Sequence, residues 1–322
     1  MTDDQYIYAV ARIRSKELTL LDKSVLDQLM SCKSYEDCMR TLTDRGWGNP
    51  DDVTTEEMLS SEREKTWELM RELVDDMSVF NTFLYEKDFH NLKAAIKQVY
   101  MNKEFPNIYL QEGMIAPTLI LESVKQHDFT MLPEIMQKSA EAAYQEQMHS
   151  GDGQMCDVIL DKATLETIYK KSKESGNELF SAYAELRVVT ANINIAIRGA
   201  KTHKKRAFFE QALAECETLD IQLLLEASLN GVEAIYEYLL TTVYETAVVA
   251  IKESPSAFEK WCDNLIIEYI KPQKYNSFTI SPLAAYILAR ENEIKTVRIL
   301  LSGKLNELSE TMIRERLRDM YV

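Results

Sequence analysis

The chain has 322 residues, 46% apolar and 28% charged, enough for a sizeable core and, by length alone, for about two ordinary domains. Asp and Glu (52) outnumber Lys and Arg (37), and the formal charge of −15 argues against nucleic acid, whose binding depends on basic side chains meeting phosphates. Gly (9) and Pro (7) together fall far below the roughly 40 that average usage would supply, so a turn-rich all-β fold is excluded and a mostly helical chain is expected.

In chain order, the opening residues carry Asp3 and Asp4 and lack the basic-then-apolar pattern of a secretory leader. Residues 26–42 read as a helix end, a turn at Ser34, and a new helix with Tyr35, Cys38 and Leu42 on one face. A long amphipathic helix is predicted over 60–76. Residues 84–100 follow and carry Asn91, Ile96 and Lys97. The order then recurs. Residues 120–136 place Asp128 before a stripe of Phe129, Leu132 and Met136, residues 161–175 form the amphipathic helix, and residues 186–200 carry Asn192, Ile197 and Arg198. It recurs again with Gly231 before Val232, Ile235 and Leu239 in 223–239. A helix with Phe258, Trp261, Leu265 and Tyr269 follows over 256–270, then Asn292, Val297 and Arg298 in 283–301. Ser, Asp and Gly are all residue types favoured at helix N-caps.

Elements repeated three times in order define an internal repeat, and such a repeat settles architecture. The expectation is an all-α chain of three similar helical units, 1–110 (with the N-terminal segment), 111–215 and 216–322. Loops are predicted at 46–52, 102–107, 149–154 and 271–282. The most membrane-like window, 234–251, is interrupted by Glu237 and Glu245 and reads as a buried helix rather than a span. Each Asn and its basic residue lie six apart, about 120° around a helix, so they cannot clasp one ligand. The plain expectation sets each Asn at a polar boundary and each basic residue as a complement to the helix C-terminal half. The sharper one sets Lys97, Arg198 and Arg298 at equivalent places around a pseudo-symmetry axis.

Five cysteines at irregular spacing, with no CxxC pair, read as the reduced thiols of a cytoplasmic protein. No phosphate-binding glycine loop, nucleophile elbow or HExxH motif occurs, and no metal, cofactor or catalytic residue is expected. One pattern is enzyme-like. Asp51, Asp52 and Glu56 resemble the acidic motif of class I terpenoid synthases, and Asn177, Ser181 and Glu185 have the i, i+4, i+8 spacing of their second magnesium-binding triad. Against it, Asp51 and Asp52 follow Asn49 and Pro50 and read as a loop or N-cap, and Glu178 stands where an Asp is usual. A magnesium-dependent prenyl-diphosphate enzyme is therefore an alternative reading, as is a generic helical adaptor. The basic run of Lys201, Lys204, Lys205 and Arg206 is a solvated helix end or a contact for an acidic partner. Arg314 and Arg318, beside Glu315 and Asp319, predict a salt-bridged helical face.

Dispersed patterns along the whole chain resemble the C subunit of bacterial and archaeal V/A-type rotary ATPases, the counterpart of the d subunit of the vacuolar ATPase. They comprise Tyr8, Arg12, Arg14 and Glu17 at the start, and Tyr85, Asp88, Asn91 and Lys93 in the middle. The end has Pro282, Tyr286, Arg290, Glu291, Glu293, Val297, Arg298, Gly303, Lys304, Ile313, Arg316 and Arg318. The resemblance implies three helical domains around a pseudo-threefold axis, forming a funnel. It implies a non-catalytic rotor socket on the cytoplasmic face of the membrane. Its partners would be the D and F subunits of the central shaft and the membrane proteolipid ring. Lys97, Arg198 and Arg298 are the lumen-facing candidates, with Lys204, Lys205 and Arg206 as further partner contacts.

Overall fold

The computed structural model describes residues 6–322. Among these residues the chain is helical, with short 3-10 turns and no strand, as the low Gly and Pro content predicts. In order the helices are α1 (Ile7–Glu17), α2 (Lys23–Ser31), α3 (Tyr35–Asp44), α4 (Thr55–Leu73), α5 (Tyr85–Met101), α6 (Pro117–Gln126), α7 (Glu134–Ser150) and α8 (Gly153–Glu174). Then come α9 (Glu178–Lys201), α10 (Arg206–Ala212), α11 (Ile221–Asn230), α12 (Val232–Leu239), α13 (Glu245–Glu253), α14 (Pro255–Ile270), α15 (Ser281–Leu305) and α16 (Glu310–Arg316).

Local chemistry sets these boundaries. Helix α4 opens on a capping box in which Thr54 and Glu57 satisfy each other's backbone N–H groups. Ser34 caps α3 through the Asp37 N–H, and Asp152 caps α8 through Gln154 and Met155. Asp128 caps only a single 3-10 turn, Phe129–Met131. Pro133 forces Leu132 into an extended conformation, so the helix restarts at Glu134. The window 234–251 is not one buried helix. It breaks between α12 and α13 around Thr241 and Thr242, whose hydroxyls turn back onto Tyr238 and Leu239 carbonyls, and Val243 is 80% exposed in the turn. Among the described residues no helix is long and apolar enough to cross a membrane.

The three helices that carry the repeated Asn, α5, α9 and α15, end in the same way. A left-handed residue, Asn102 (φ 48°), His203 (φ 53°) or Glu307 (φ 53°), stops each one. The next N–H then bonds a carbonyl five residues back: Lys103 to Gln98, Lys204 to Gly199, and Leu308 to Gly303. Asn102 and His203 lie eleven residues past Asn91 and Asn192, whereas Glu307 lies fifteen past Asn292. Helix α15 thus runs one turn further, about 6 Å at 1.5 Å per residue, before the same stop.

Two compact units emerge from the packing. One joins the chain up to Met77 with Thr246–Val322. Its core sets Ile294, Val297, Leu300 and Leu301 of α15 against Leu26 and Leu29 of α2, Cys38 and Leu42 of α3, and Met58 and Leu59 of α4. Gly303 lets α16 approach, since a Cβ there would lie 2.6 Å from Ile313 Cγ1. The other unit is Ser78–Glu245. Its largest core surrounds Phe89, Leu92 and Ile96 of α5 with residues of α6, α7 and α8. Helix α9 packs on α8, α11 and α12.

Candidate functional site

The repeated asparagines are buried and each holds a later stretch of backbone. Asn91 donates to the Leu110 carbonyl and accepts from its N–H, both at 2.8 Å. Asn192 does the same to Ala214 at 2.7 and 3.0 Å. Asn292 donates to the Asp319 carbonyl at 2.9 Å, but its Oδ1 has no partner among the described residues, because the Asp319 N–H goes to Asn264 instead. These are therefore not boundary residues, as the spacing suggested. Each carboxamide ties the chain that leaves a long helix back against that helix, so backbone polar groups can be buried without a ladder of their own.

Carboxylates extend two of these clamps. Glu185 of α9 accepts from the Glu217 and Thr218 N–H groups at 3.0 and 2.8 Å. Asp88 of α5 accepts from Met114 and Ile115 at 3.3 and 3.2 Å. The Asp88 side chain is fully buried, and burial pushes its carboxyl up to about 6 against the pull of those two N–H donors. Gly113 makes this approach possible, since a Cβ there would collide with Asp88 Oδ1.

The repeated basic residues differ from one another. Lys97 pairs with Asp157 at 2.6 Å and is one-third exposed. Arg298 pairs with Glu56 at 2.7 Å. Arg198 is exposed and has no ion pair among the described residues. In the basic run, Lys204 donates to Gln154 at 2.6 Å and lies over the Phe208 ring, Arg206 pairs with Glu226 at 2.6 Å, and Lys205 is exposed. Arg198 and Lys201 thus give α9 an exposed basic end, with Lys205 exposed just before α10.

The terpenoid-like residues are engaged in helix capping. Asn177 is the N-cap of α9, accepting from Leu179 and Phe180. Ser181 donates to the Ser172 carbonyl, and Glu185 is committed to backbone donors as above. Asp52 accepts from the Asn49 N–H in a turn, and Glu56 holds Arg298. Among the described residues no three His, Cys, Asp or Glu side chains converge as metal ligands. All five cysteines are free, and burial raises the Cys38 thiol to about 12 and those of Cys156 and Cys216 to about 11, which suits inert thiols.

Two features are less visible in the sequence. Inside the first unit, Arg290 bonds Glu62 and Glu293, all three almost fully buried, and its guanidinium lies 5.1 Å from the centre of the Trp47 ring. Glu62 also takes the Gly48 N–H and Lys65, and Glu293 takes the Leu21 N–H. The i, i+3 spacing of Arg290 and Glu293 directly after the apolar run 283–289 was the available signal. The second is a surface. Arg14 fixes the 271–280 loop by donating to the Gln273 and Asn276 carbonyls at 2.5 and 2.6 Å. That loop leaves Tyr275 89% and Phe278 55% exposed, and Tyr8 and Leu18 of the α1 region are also exposed. Aromatic residues in a loop bounded by Pro272 and Pro282, with no helical periodicity, were its sequence signature.

The model of the ATP synthase (C/AC39) subunit family matches residues 9–316 of this chain. The chain belongs to that family. It is similar to the C subunit of the V-type sodium ATPase of Enterococcus hirae, at 22% identity over 96% of this chain and 97% of the relative. It is also similar to the C subunit of the A-type ATP synthase of Methanocaldococcus jannaschii, at 25% over 97% and 86%, and to that of Thermococcus kodakarensis, at 21% over 96% and 89%. The resemblance read from the sequence is thereby established across the chain. The family is a non-catalytic subunit of a rotary ATPase complex.

Proposed function

We propose that this protein is a central-rotor socket, coupling the D and F subunits of the shaft to the membrane proteolipid ring at its cytoplasmic face and passing torque between them. The observation that carries the reading is the threefold recurrence of a long helix with a buried Asn and a left-handed stop, in a chain matched to the family over residues 9–316. A coupling between rotating parts has to resist deformation, and close-packed interiors do so.

The proposed units are 1–110, 111–215 and 216–322, arranged about a pseudo-threefold axis as a funnel. Their packing supports stiffness in a specific way. Helix α5 of the first packs on α6–α8 of the second, α9 of the second on α11 and α12 of the third, and α15 of the third on α2–α4 of the first. Each unit thus lends its long helix to the next, and bending one joint disturbs a core. The exposed aromatics of the 271–280 loop and the basic end of α9 are the docking surfaces we assign.

Co-expression with D, F and the proteolipid tests this directly. Retention of D and F on the tagged chain, and of the chain on the detergent-solubilised ring, is the expected result. A chain that is folded by circular dichroism but captures neither partner overturns the reading.

A further inference from the structure

We propose that the compact unit joining the chain up to Met77 with Thr246–Val322 carries a binding site for a small phosphate-class polyanion, either inorganic diphosphate or a phosphorylated headgroup. The site is a cavity of about 360 Å³ between α2, α14 and the segment after α16. That volume lies near the lower end of the range for small-molecule sites, roughly 300–1,000 Å³.

Cations from four places in the sequence converge there. Lys23 opens α2, Lys260 lies on α14, Lys271 follows that helix, and Arg314 and Arg318 lie on and just after α16. The side-chain carboxylates in the lining are Asp27 and Asp319. In a chain of net charge −15, five converging cations are a departure from composition.

These cations fall into two groups. The first is oriented by carboxylates. The Arg318 side chain is only 2% exposed and bonds Asp263 at 2.8 Å. Arg314 bonds Asp27 at 2.6 Å and Glu310 at 2.8 Å, and Lys271 pairs with Glu268. Each guanidinium carries five N–H donors in a fixed fork, so Arg314 keeps donors beyond its two carboxylates. The buried Arg318, which also donates to the Arg316 carbonyl at 2.5 Å and lies 3.8 Å from Glu259, instead holds the wall of the cavity in place. The second group has no side-chain counter-charge. Lys260 reaches only the Glu315 carbonyl, at 3.2 Å, and Lys23 has no ion pair among the described residues. A purely structural charge network would set a carboxylate against these two lysines. A tetrahedral phosphate can accept from an oriented arginine fork and neutralise lysines together, and such charge-assisted bonds are the strong ones.

The test is calorimetric titration of the full chain with inorganic diphosphate, at an ionic strength held constant with chloride. Saturable one-to-one binding is expected. It should weaken at least about tenfold in the Lys23→Gln/Lys260→Gln double variant, through loss of two charge-assisted contacts. It should be unchanged in Lys125→Gln, an exposed control in the other unit. Both lysines lie at the surface, so circular dichroism should show an intact fold. Absence of saturable binding, or equal affinity in the double variant, overturns the proposal. Flotation with phosphatidylcholine vesicles, with and without phosphatidic acid, separates the sources. Capture by phosphatidic acid that diphosphate competes away identifies a headgroup. Diphosphate binding without vesicle capture identifies a soluble phosphate.

Discussion

Asn192 closes on both backbone groups of Ala214, donating to its carbonyl at 2.7 Å and accepting from its N–H at 3.0 Å, with no solvent exposure at the side chain. Removing the carboxamide leaves a buried donor and a buried acceptor together. Unmet groups of this kind cost about 1–3 kcal/mol each, so Asn192→Ala should lose about 2–5 kcal/mol in urea denaturation. Asn91→Ala should behave alike, since it makes the same pair of bonds to Leu110. Asn292→Ala should cost less, about 1–3 kcal/mol for its single bond, because its Oδ1 already lacks a partner. Equal losses at all three positions would refute this ordering.

Asp88 should impose a distinctive pH dependence on the compact unit Ser78–Glu245. Its folded-state carboxyl lies near 6, above the ordinary value of 3.8. Between these values the folded state holds the proton that the unfolded state has released. The contribution of Asp88 is therefore fully present below about pH 4 and is lost as pH rises through about 6. A difference of this size corresponds to about 3 kcal/mol. The stability difference between wild type and Asp88→Asn, measured across that window, should shift by up to this amount, with wild type relatively better in acid. A flat difference would show that the carboxyl titrates normally.

Gly303 and Ile313 should be energetically coupled. A methyl group on Gly303 would stand 2.6 Å from Ile313 Cγ1. Overpacking of this kind costs about 1–3 kcal/mol, so Gly303→Ala should destabilise the protein. Adding Ile313→Ala removes the obstructing atoms. The double variant should be more stable than the sum of single losses predicts, by about 0.5–3 kcal/mol. A cycle that closes to zero would mean that α16 moves aside without loss.

Much of the fold is legible in the residues alone, and the reasons are local. The stripe of Tyr35, Cys38 and Leu42, the cap at Ser34 and the scarcity of Gly and Pro are short-range signals, and α3 formed where they lay, whereas Asp128 capped only a 3-10 turn because Pro133 delays the helix to Glu134. The recurrence of Asn91, Asn192 and Asn292 was visible too, but its meaning was not. Their partners Leu110, Ala214 and Asp319 lie 19, 22 and 27 residues onward, spacings with no helical or strand period. A polar residue that completes a tertiary contact looks in sequence like one that faces water. The same holds for Arg290 and Glu62, which are 228 residues apart and meet only because α15 packs on α4. The window 234–251 misled for the opposite reason: its apolar content suggested one helix, while the Thr241 and Thr242 side chains stop it.

Arg290 illustrates what such a buried group costs when broken. Glu62 and Glu293 flank it at 4% and 1% exposure. Arg290→Met leaves two carboxylates without their guanidinium, and losing one partner of a buried pair costs about 3–5 kcal/mol. Replacing Glu62 and Glu293 by Gln in the same chain should recover part of that loss, since the neutral amides need no counter-charge. A triple variant as unstable as Arg290→Met would assign the loss to the Trp47 contact instead.

The repeated basic positions separate stability from assembly. Lys97→Glu and Arg298→Glu each place like charges together, against Asp157 and Glu56, so weaker assembly in either could follow from local disturbance. Arg198 has no such partner among the described residues, and its side chain is exposed. A surface change of this kind usually alters stability by less than about 0.5 kcal/mol. Arg198→Glu should therefore leave the urea midpoint unchanged while reducing co-purification of the shaft or ring, if the basic end of α9 meets an acidic partner surface. Rim charges act mainly on association rate and salt dependence. The deficit should accordingly shrink as salt is raised, because screening weakens the wild-type contact as well. An unchanged midpoint with unchanged assembly at low salt would remove the α9 end from the docking surface and leave the aromatic loop of Tyr275 and Phe278 as the remaining candidate.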